Sequence, residues 1–265
     1  MKPVIKWSGS KRSQAPYIAD QMPEYDTYYE PFVGGGSMLY TAEPKRAVCG
    51  DICKPLIDLW KMIQNDPDRL AEGYEERWNG LQKEGHVYYY DIRRRFNEGH
   101  DPCDLLFLTR TCTNGLIRFN QKGEFNNSFH ITRKGMNPDS MREILLDWSV
   151  RVKDVRFVHA DYRESTKDAK EDDFVYLDPP YQGTKGMYYG KIDYDAFFRW
   201  LGELNDKGVK WILSFDGSRE DREYGTEIPK ELYRQHTLIP SGLSTFRKTQ
   251  SGKSDMVYES LYLNY

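Results

Sequence analysis

Apolar residues follow two different spacings along this chain. Short runs rich in β-branched and aromatic residues, bounded by glycine or polar residues, predict strands. These runs lie at residues 27–32, 46–50, 155–159, 174–177, 210–214 and 257–263. Apolar residues at helical spacing, such as Leu56, Leu59 and Ile63, predict helices in the middle of the chain. Further helices are expected near residues 13–22 and 194–205, so strands and helices alternate towards both ends.

This alternation predicts an α/β fold, in which a mostly parallel sheet is covered by helices on both faces. Residues 1–54 and 156–265 have the alternating pattern and would form the sheet domain. Residues 55–155 are helical and polar, and would form an insert between the two halves of the sheet. A chain of 265 residues is long enough for one core and a modest insert.

The composition narrows the class of protein. No run approaches the roughly 18 apolar residues that span a membrane, and the first residues lack the apolar centre of a signal peptide, so a cytoplasmic protein is expected. The cysteines are Cys49, Cys53, Cys103 and Cys112. Because they include no C-x-x-C pair and form no cluster with the histidines, we expect reduced packing thiols and no metal site.

Basic residues are concentrated in two segments, although the formal net charge is -3. Residues 108–134 carry five basic side chains against one acidic side chain, and residues 237–254 carry Arg247, Lys248 and Lys253 without an acid. Two basic segments on an otherwise acidic chain suit a protein with one phosphate-facing side. Ordinary solvated surface charge would give the same pattern.

A glycine cluster marks the first candidate site. Gly34, Gly35 and Gly36 follow a predicted strand and precede a predicted helix, where glycine lets the backbone turn sharply and approach a ligand without a Cβ clash. Such a turn serves a dinucleotide, a flavin, S-adenosylmethionine or no ligand at all. Asp51 ends the second predicted strand, where an acid in an α/β nucleotide fold accepts hydrogen bonds from ribose hydroxyls. A helix cap is the alternative for Asp51, and the neighbouring glycine turn favours the ligand role.

A second motif, Asp178-Pro179-Pro180-Tyr181, directly follows the predicted strand at residues 174–177, where open α/β sheets bind ligands. The lone pair of an adenine amino group is delocalised into the ring. Two acceptors at its hydrogens, the Asp178 carboxylate and the Pro179 carbonyl, would direct that lone pair towards a methyl donor. Pro180 stiffens the turn, and Tyr181 offers an aromatic face for a base taken out of the stack. These four residues are the catalytic candidates.

In combination the motifs resemble the alpha-class (D12-type) adenine-N6 DNA methyltransferases, of which the Dam methylases are familiar members. The resemblance covers nearly the whole chain and rests on the order Lys6-Trp7-Ser8-Gly9-Ser10-Lys11, Phe32-Val33-Gly34-Gly35-Gly36 and Asp178-Pro179-Pro180-Tyr181. It implies a Rossmann-like S-adenosylmethionine-dependent methyltransferase sheet with a mostly helical target-recognition insert. The cofactor-binding residues that it implies are Trp7, Lys11, Phe32, Gly34, Gly36, Asp51 and Asp178. Ser10 stands where Dam-type enzymes usually have glycine, a small change of little expected consequence.

The basic segment at residues 108–134 is dense in asparagine, arginine and glycine. Arginine can bind guanine bidentately and asparagine can bind adenine, so the segment suits base reading in DNA, although a structured surface loop has the same composition. Dam-type enzymes carry a similar Asn-Gly-Leu, Arg, Asn and Gly-Glu-Phe-Asn series. The resemblance implies that Arg118 reads a guanine. The predicted DNA-binding residues are Arg110, Asn114, Leu116, Arg118, Asn120, Lys122, Arg247 and Lys248.

The predicted function is transfer of a methyl group from S-adenosylmethionine to N6 of a flipped adenine in double-stranded DNA, with GATC as one candidate target. Thr111, Thr113 and residues 127–130 depart from the Dam pattern and leave that target open. The alternatives are cytosine N4, an RNA adenine or a protein glutamine amide as acceptor, an oxidoreductase that binds nicotinamide or flavin, and a non-catalytic DNA-binding relative. Cofactor and duplex DNA are the partners required. A nucleoid-associated monomer would suffice, with a cognate restriction endonuclease as an optional companion.

Overall fold

The structure, a computed structural model, describes residues 2–180, 192–215, 227–243 and 256–265. The strands within these residues are β1 Tyr28–Glu30, β2 Ala47–Asp51, β3 Val155–His159, β4 Phe174–Leu177, β5 Lys210–Phe215, β6 Gln235–Leu243 and β7 Met256–Leu263. The helices are α1 Ala15–Ala19, α2 Ser37–Ala42, α3 Lys54–Asn65, α4 Pro67–Glu84, α5 His86–Gly99, α6 Pro102–Thr111, α7 Pro138–Arg151, α8 Tyr162–Ser165 and α9 Tyr194–Asp206. Every predicted strand is therefore present, with ends that shift by at most two residues.

The seven described strands form one sheet in the order β3-β2-β1-β4-β5-β7-β6. The strands from β3 to β5 are parallel, whereas β7 is antiparallel to β5 and to β6. The strand order reverses direction at β1, since β2 lies on one side of it and β4 on the other. An open sheet binds its ligand at such a switch point, beyond the carboxyl ends of the strands. The α/β prediction is confirmed.

Successive residues of the central strands bury their side chains in two different cores. Tyr28 and Tyr176 belong to one apolar cluster and Tyr29 and Val175 to the other, as the two-residue period of a strand requires. The smaller cluster contains α9, and the larger one contains the apolar faces of α3 to α7. With both faces covered, the central strands read as continuous apolar runs rather than alternating ones.

The helices of the central segment begin at residues that the sequence marks clearly. Asp66, Asp101 and Asn137 each accept backbone N–H groups of the first turn of α4, α6 and α7, and each is followed by proline. These side chains satisfy donors that have no partner within the helix, and proline suits the first helical position because its missing N–H is not needed there.

The predicted insert at residues 55–155 shares its core with the sheet. Its first helix, α3, contacts β2 and β3, and its last helix, α7, packs on α3. Residues from α3 to α7 belong to the same apolar cluster as Tyr28 and Tyr176. The division into a catalytic domain and an insert stays a prediction.

The strand β6 was not predicted from the sequence. It is an edge strand, paired only with β7 among the described residues, and contains Pro240 with a register shift between Pro240 and Gly242. Proline cannot donate to the ladder and is tolerated in a sheet mainly at an edge or a bulge, so the local sequence resembles a loop. No helix in the described part of the chain is long and apolar enough to cross a membrane.

Candidate active site

The carboxyl ends of the central strands surround one cavity of about 360 Å³, a size typical of small-molecule sites. The turn after β1, the end of β2, the start of α8 and the turn after β4 all line it, together with the N-terminal segment Trp7 to Lys11. The predicted site residues that line the cavity are Trp7, Lys11, Phe32, Gly34, Asp51, Asp178, Pro179 and Pro180. The fold thus brings together residues that are up to 173 positions apart in the sequence.

The glycine turn shapes one wall of the cavity. Gly34 has φ +47°, and a Cβ there would lie 2.8 Å from Cδ1 of Trp7. The carbonyl of Gly34 accepts a hydrogen bond from the Trp60 indole at 3.0 Å, which fixes the turn to the core. Gly36, at φ +68°, faces Trp60 and Trp148 rather than the cavity. Gly36 thus has a packing role at the start of α2, and its contact with the cofactor stays a prediction.

Asp51 sits at the end of β2 and faces the same cavity. Its carboxylate accepts the backbone N–H of Cys53 at 2.9 Å and, more weakly, that of Gly34 at 3.4 Å. Burial raises the pKa of Asp51 to about 6, and the backbone donors oppose that shift. The side chain is thus held in place with acceptor capacity directed at the cavity, as a ribose-binding acid requires.

Lys11 lines the cavity and lies between two carboxylates. Its Nζ is 2.9 Å from Oδ1 of Asp178 and 2.6 Å from Oε1 of Glu259, and the Lys11 and Glu259 side chains are almost fully buried. Burial by itself lowers the pKa of Lys11, but Asp178 and Glu259 outweigh it and the pKa is raised. Lys11 is therefore a permanent cation that holds one oxygen of Asp178.

The turn after β4 is anchored by a second contact. Tyr194 of α9 donates its hydroxyl proton to the Pro180 carbonyl at 2.6 Å. Asp178 is held by Lys11 on one side of the turn and Pro180 by Tyr194 on the other. Asp178 and Pro179 are consequently presented to the cavity on a fixed backbone. Tyr181 lies outside the described residues.

A buried acid, Glu30, lies close enough to Asp178 for their charges to interact. Glu30 ends β1, is buried, and accepts the hydroxyl proton of Tyr28 at 2.9 Å. Burial raises its pKa to about 8, the hydrogen bond from Tyr28 opposes the shift, and the negative charge of Asp178 adds to it. With its pKa at about 8, Glu30 is mostly neutral near pH 7 and adds little negative charge beside Asp178.

Comparison with known proteins identifies the family. The profile described as D12 class N6 adenine-specific DNA methyltransferase matches residues 7–242. The chain belongs to this family. The resemblance seen in the sequence is thereby confirmed, and methyl transfer is favoured over the oxidoreductase alternative.

Individual relatives agree with this membership. The chain is 29% identical to the Type II methyltransferase M.MjaIII of Methanocaldococcus jannaschii, over 100% of this chain and 99% of that protein. It is 30% identical to the Type II methyltransferase M1.LlaDCHI of Lactococcus lactis subsp. cremoris, over 100% and 96% of the two chains. A DNA adenine methylase of Vibrio cholerae is 32% identical over 67% of this chain and 64% of its own length.

The segment proposed to recognise the methyltransferase's DNA target forms a compact loop after α6. A short 3-10 turn at Thr113–Gly115 is followed by a hairpin in which Phe119 bridges Phe125. The backbone of Asn120 pairs with that of Glu124 at the hairpin turn. The exposed side chains include Asn114, Arg118 and Lys122, and Leu116 and Asn120 are half-buried.

The structure contradicts the prediction that Arg110 binds DNA. Arg110 lies in α6, is 4% exposed, and donates its guanidinium hydrogens to the carbonyls of Pro3 and Val4. Burial lowers the pKa of Arg110 to about 10. The sequence showed a basic residue in a basic segment, but helical spacing turns this one inward, where it ties the N-terminal segment to α6.

Asn120 also has a role that the sequence did not reveal. Its amide oxygen accepts the N–H groups of Lys122 and Glu124, and its amide nitrogen donates to the Glu124 carboxylate. These contacts close the hairpin, so Asn120 stabilises the loop that presents Arg118. DNA contacts by the exposed residues of this loop stay predictions, and Arg247 and Lys248 lie outside the described residues.

Sequence reasoning missed Glu259, Glu30 and Tyr194 as site residues. Glu259 and Glu30 are single acids within otherwise apolar strands, and a charge in a buried strand is a recognisable signal of a functional or paired group. Tyr194 carries no such signal, because a tyrosine at the start of an amphipathic helix is ordinarily a packing residue.

Proposed function

We propose that this adenine-specific DNA methyltransferase transfers a methyl group from S-adenosylmethionine to N6 of an adenine that is flipped out of duplex DNA. The observation that carries the proposal is the fixed Asp178-Pro179 turn, which faces the same cavity as Asp51 and the glycine turn. Asp178 and the Pro179 carbonyl supply the two acceptors that an amino group needs.

The residues around the cavity suit the cofactor. The surface of Gly34, which has no Cβ, and the indole of Trp7 form a cradle beside the carboxylate of Asp51. Asp51 would hold the ribose hydroxyls, and Trp7 and Phe32 would flank the cofactor. When bound, S-adenosylmethionine supplies a methyl group on a positively charged sulfur, which an amino nitrogen can take up with the loss of one proton.

Asp178 would act as an acceptor rather than as a nucleophile. Lys11 contacts its Oδ1 at 2.9 Å, which fixes the carboxylate for an incoming amino group. The amino hydrogens bound to Asp178 and Pro179 would turn the nitrogen lone pair out of the plane of the ring. Positioning of this kind, in a site shielded from water, supplies much of the rate in reactions that need no covalent intermediate.

We expect the target base to enter the cavity as an extruded nucleotide, because the Asp178 side chain lines this cavity and is only 21% exposed. Enzymes that act on a base within a duplex flip it into a pocket and stack it on an aromatic side chain. We assign the stacking role to Tyr181. Exposed Arg118 would read a guanine, and GATC is the first target to test. A monomer holds all the proposed chemistry, and a cognate restriction endonuclease would be an optional partner in the cytoplasm.

The test uses labelled S-adenosylmethionine with unmethylated genomic DNA, followed by nucleoside mass spectrometry and long-read mapping. Asp178→Ala and the isosteric Asp178→Asn are compared with wild type, and Asp58→Asn, a surface acid of α3, is the matched control. We expect N6-methyladenine with wild type and control only. If wild type binds S-adenosylmethionine but forms N4-methylcytosine, or modifies only RNA or protein, the proposed acceptor is wrong.

A further inference from the structure

Lys6 and Arg133 lie close together where the N-terminal segment contacts the loop between α6 and α7, which is called the recognition loop below. A Cβ on Gly115 would lie 3.1 Å from Cδ of Lys6 and 3.2 Å from Nη1 of Arg133. Gly115 has φ +64° and its neighbour Asn114 has φ +57°, so both residues are in the left-handed region that favours glycine. Glycine at this position allows Lys6 and Arg133 to approach each other across the turn.

These cations have no compensating acid among the described residues. Lys6 and Arg133 form no ion pair there, unlike Lys11, and Nη1 of Arg133 is buried without a hydrogen-bond partner. Arg110 is close enough to add repulsion but its hydrogens are used by backbone carbonyls. Burial and then the charges of Arg133 and Arg110 lower the pKa of Lys6. A buried N–H group without a partner is costly, so an anion at this place would relieve both the repulsion and the missing hydrogen bond.

This cluster lies next to residues that line the catalytic cavity. Lys6 immediately precedes Trp7 and Ser8, which line the cavity. The hydroxyl of Ser8 accepts the backbone N–H of Ile117 at 3.2 Å and so joins the cavity wall to the recognition loop. A phosphate next to a base held in the cavity would therefore lie within reach of this edge.

We propose that Lys6 and Arg133 bind a backbone phosphate of the DNA strand that carries the target adenine, next to the flipped nucleotide. The inference rests on the proposed function. Ammonium and guanidinium groups are the usual phosphate donors, and phosphate contacts fix register rather than sequence. Fixing a phosphate here would hold the strand in the extruded conformation beside the cavity.

The turn that carries Arg133 has a second feature suited to DNA. The N–H of Arg133 donates to the carbonyl of His130 at 2.9 Å, which places Ile131 at the tip of the turn with 89% of its surface exposed. DNA-distorting proteins insert apolar side chains of this kind between base steps. Arg133 and Ile131 lie on the same turn, so the turn could bind a DNA phosphate and unstack the neighbouring bases at the same place.

The test measures DNA affinity over a range of salt concentrations for Lys6→Met and Arg133→Gln. Lys153→Met and Arg46→Gln are matched controls, because these exposed residues precede β3 and β2 and so lie at the opposite edge of the sheet. Lys6→Arg keeps the charge. We expect Lys6→Met and Arg133→Gln to weaken binding by about tenfold for target and unrelated duplexes alike, and to reduce the salt slope by about 1 each. The controls and Lys6→Arg should bind like wild type.

Neutral methylphosphonates then locate the phosphate. Once the target is mapped, each phosphate beside the target adenine is replaced in turn, and one replacement should weaken wild type as much as Lys6→Met does. The loss from that replacement and the loss from Lys6→Met should not add, since both remove the same contact.

Other outcomes overturn the inference. If Lys6→Met changes the methylated sequence and leaves the salt slope intact, Lys6 reads a base. If both variants keep wild-type affinity and slope, there is no anion site. Wild type that binds DNA without methylating adenine contradicts only the proposed function, because this test uses binding alone, whereas wild type that binds no DNA at any salt concentration contradicts both.

Discussion

At the scale of single residues, the protein contains two buried ion clusters, one away from the cavity and one that contacts it. Asp104 is fully buried and accepts from Arg77 and Arg95, and none of these three residues lines the cavity. Lys11 forms the converse cluster with Asp178 and Glu259, and this one opens onto the cavity. A buried ion cluster is weak evidence of stabilisation, but a buried cation that grips a cavity-facing carboxylate constrains where that carboxylate can point.

Glu259→Gln tests this constraint. The change keeps the shape of the side chain but removes the charge that shares Lys11 with Asp178, so Lys11 should shift towards Asp178 and move its carboxylate from the present position. We expect kcat to fall by about ten- to a hundredfold while cofactor binding by calorimetry stays close to wild type. Because Glu259 acts through Lys11, Lys11→Met combined with Glu259→Gln should lose no more than Lys11→Met alone. Tyr258→Phe on the exposed side of β7 is the control, and fully additive losses would contradict this mechanism.

Asp51 gives a second expectation at this scale. Its pKa is raised to about 6, so the carboxylate is ionised at pH 7.5 and becomes protonated as the pH falls below about 6. If the ionised form binds ribose, cofactor affinity should decline by about tenfold per pH unit below the pKa. Asp51→Asn should bind weakly at every pH and lose this dependence. Calorimetry between pH 5 and 8 measures the cofactor affinity, with Asp58→Asn as control. If the affinity of Asp51→Asn depends on pH as that of wild type does, the ribose-binding role of Asp51 is wrong.

At the scale of elements, the turn between β1 and α2 contains two glycines that have different neighbours. Gly34 borders the indole of Trp7 in the cavity, whereas Gly36 packs against Trp60 and Trp148 in the core. Both have positive φ, so both are strained by any side chain. Their difference lies in what a new methyl group would displace, and the sequence presents the two positions as equivalent.

Alanine substitutions distinguish the two glycines. Gly34→Ala should push Trp7 and weaken cofactor binding more than stability, whereas Gly36→Ala should destabilise the protein by about 3 kcal/mol through strain and overpacking. Gly99→Ala is the control, since a Cβ there has no neighbour within 4 Å. Thermal unfolding and cofactor calorimetry on all three variants give the comparison. Equal losses of stability at positions 34 and 36 would be inconsistent with the packing described.

At the scale of the whole molecule, the sheet places an uncompensated acid in its core. The pKa of Glu30 is raised from 4.5 to about 8. Between these values the native state binds a proton that the unfolded chain has released, so the free energy of unfolding falls as the pH rises through this window. The loss is on the order of 5 kcal/mol once Glu30 is ionised in both states. Holding this acid near Asp178 therefore costs stability in the alkaline range.

Glu30→Gln should remove this dependence. The glutamine keeps an acceptor for Tyr28 and cannot ionise, so the variant should gain stability over wild type from pH 5 towards pH 9. Chemical unfolding at several pH values measures it, and Glu24→Gln, an exposed acid, should track wild type. Parallel pH profiles for Glu30→Gln and wild type would show that Glu30 is not protonated in the fold.

Much of the fold was predictable from local pattern. Runs of apolar residues, proline and capping side chains specify where β3, β4 and α9 begin and end, because these signals act within a few residues. The edge strand β6 was not predictable, because its proline and polar residues are typical of a loop and form a strand only by pairing with β7. Local signals report local geometry, and a strand edge is a tertiary property.

The sequence by itself determined the chemistry on offer: the glycine turn, Asp51, the Asp178-Pro179-Pro180-Tyr181 motif and the family to which they belong. Only the tertiary structure decided which charges are used and how. It buried Arg110 on the N-terminal carbonyls, paired Lys11 with Glu259 across 248 positions, and brought Lys6 to Arg133 over a glycine. The physical reason is that a charged residue has the same intrinsic preferences wherever it occurs, whereas its partner, its burial and its pKa are set by residues that the chain brings near only when it folds.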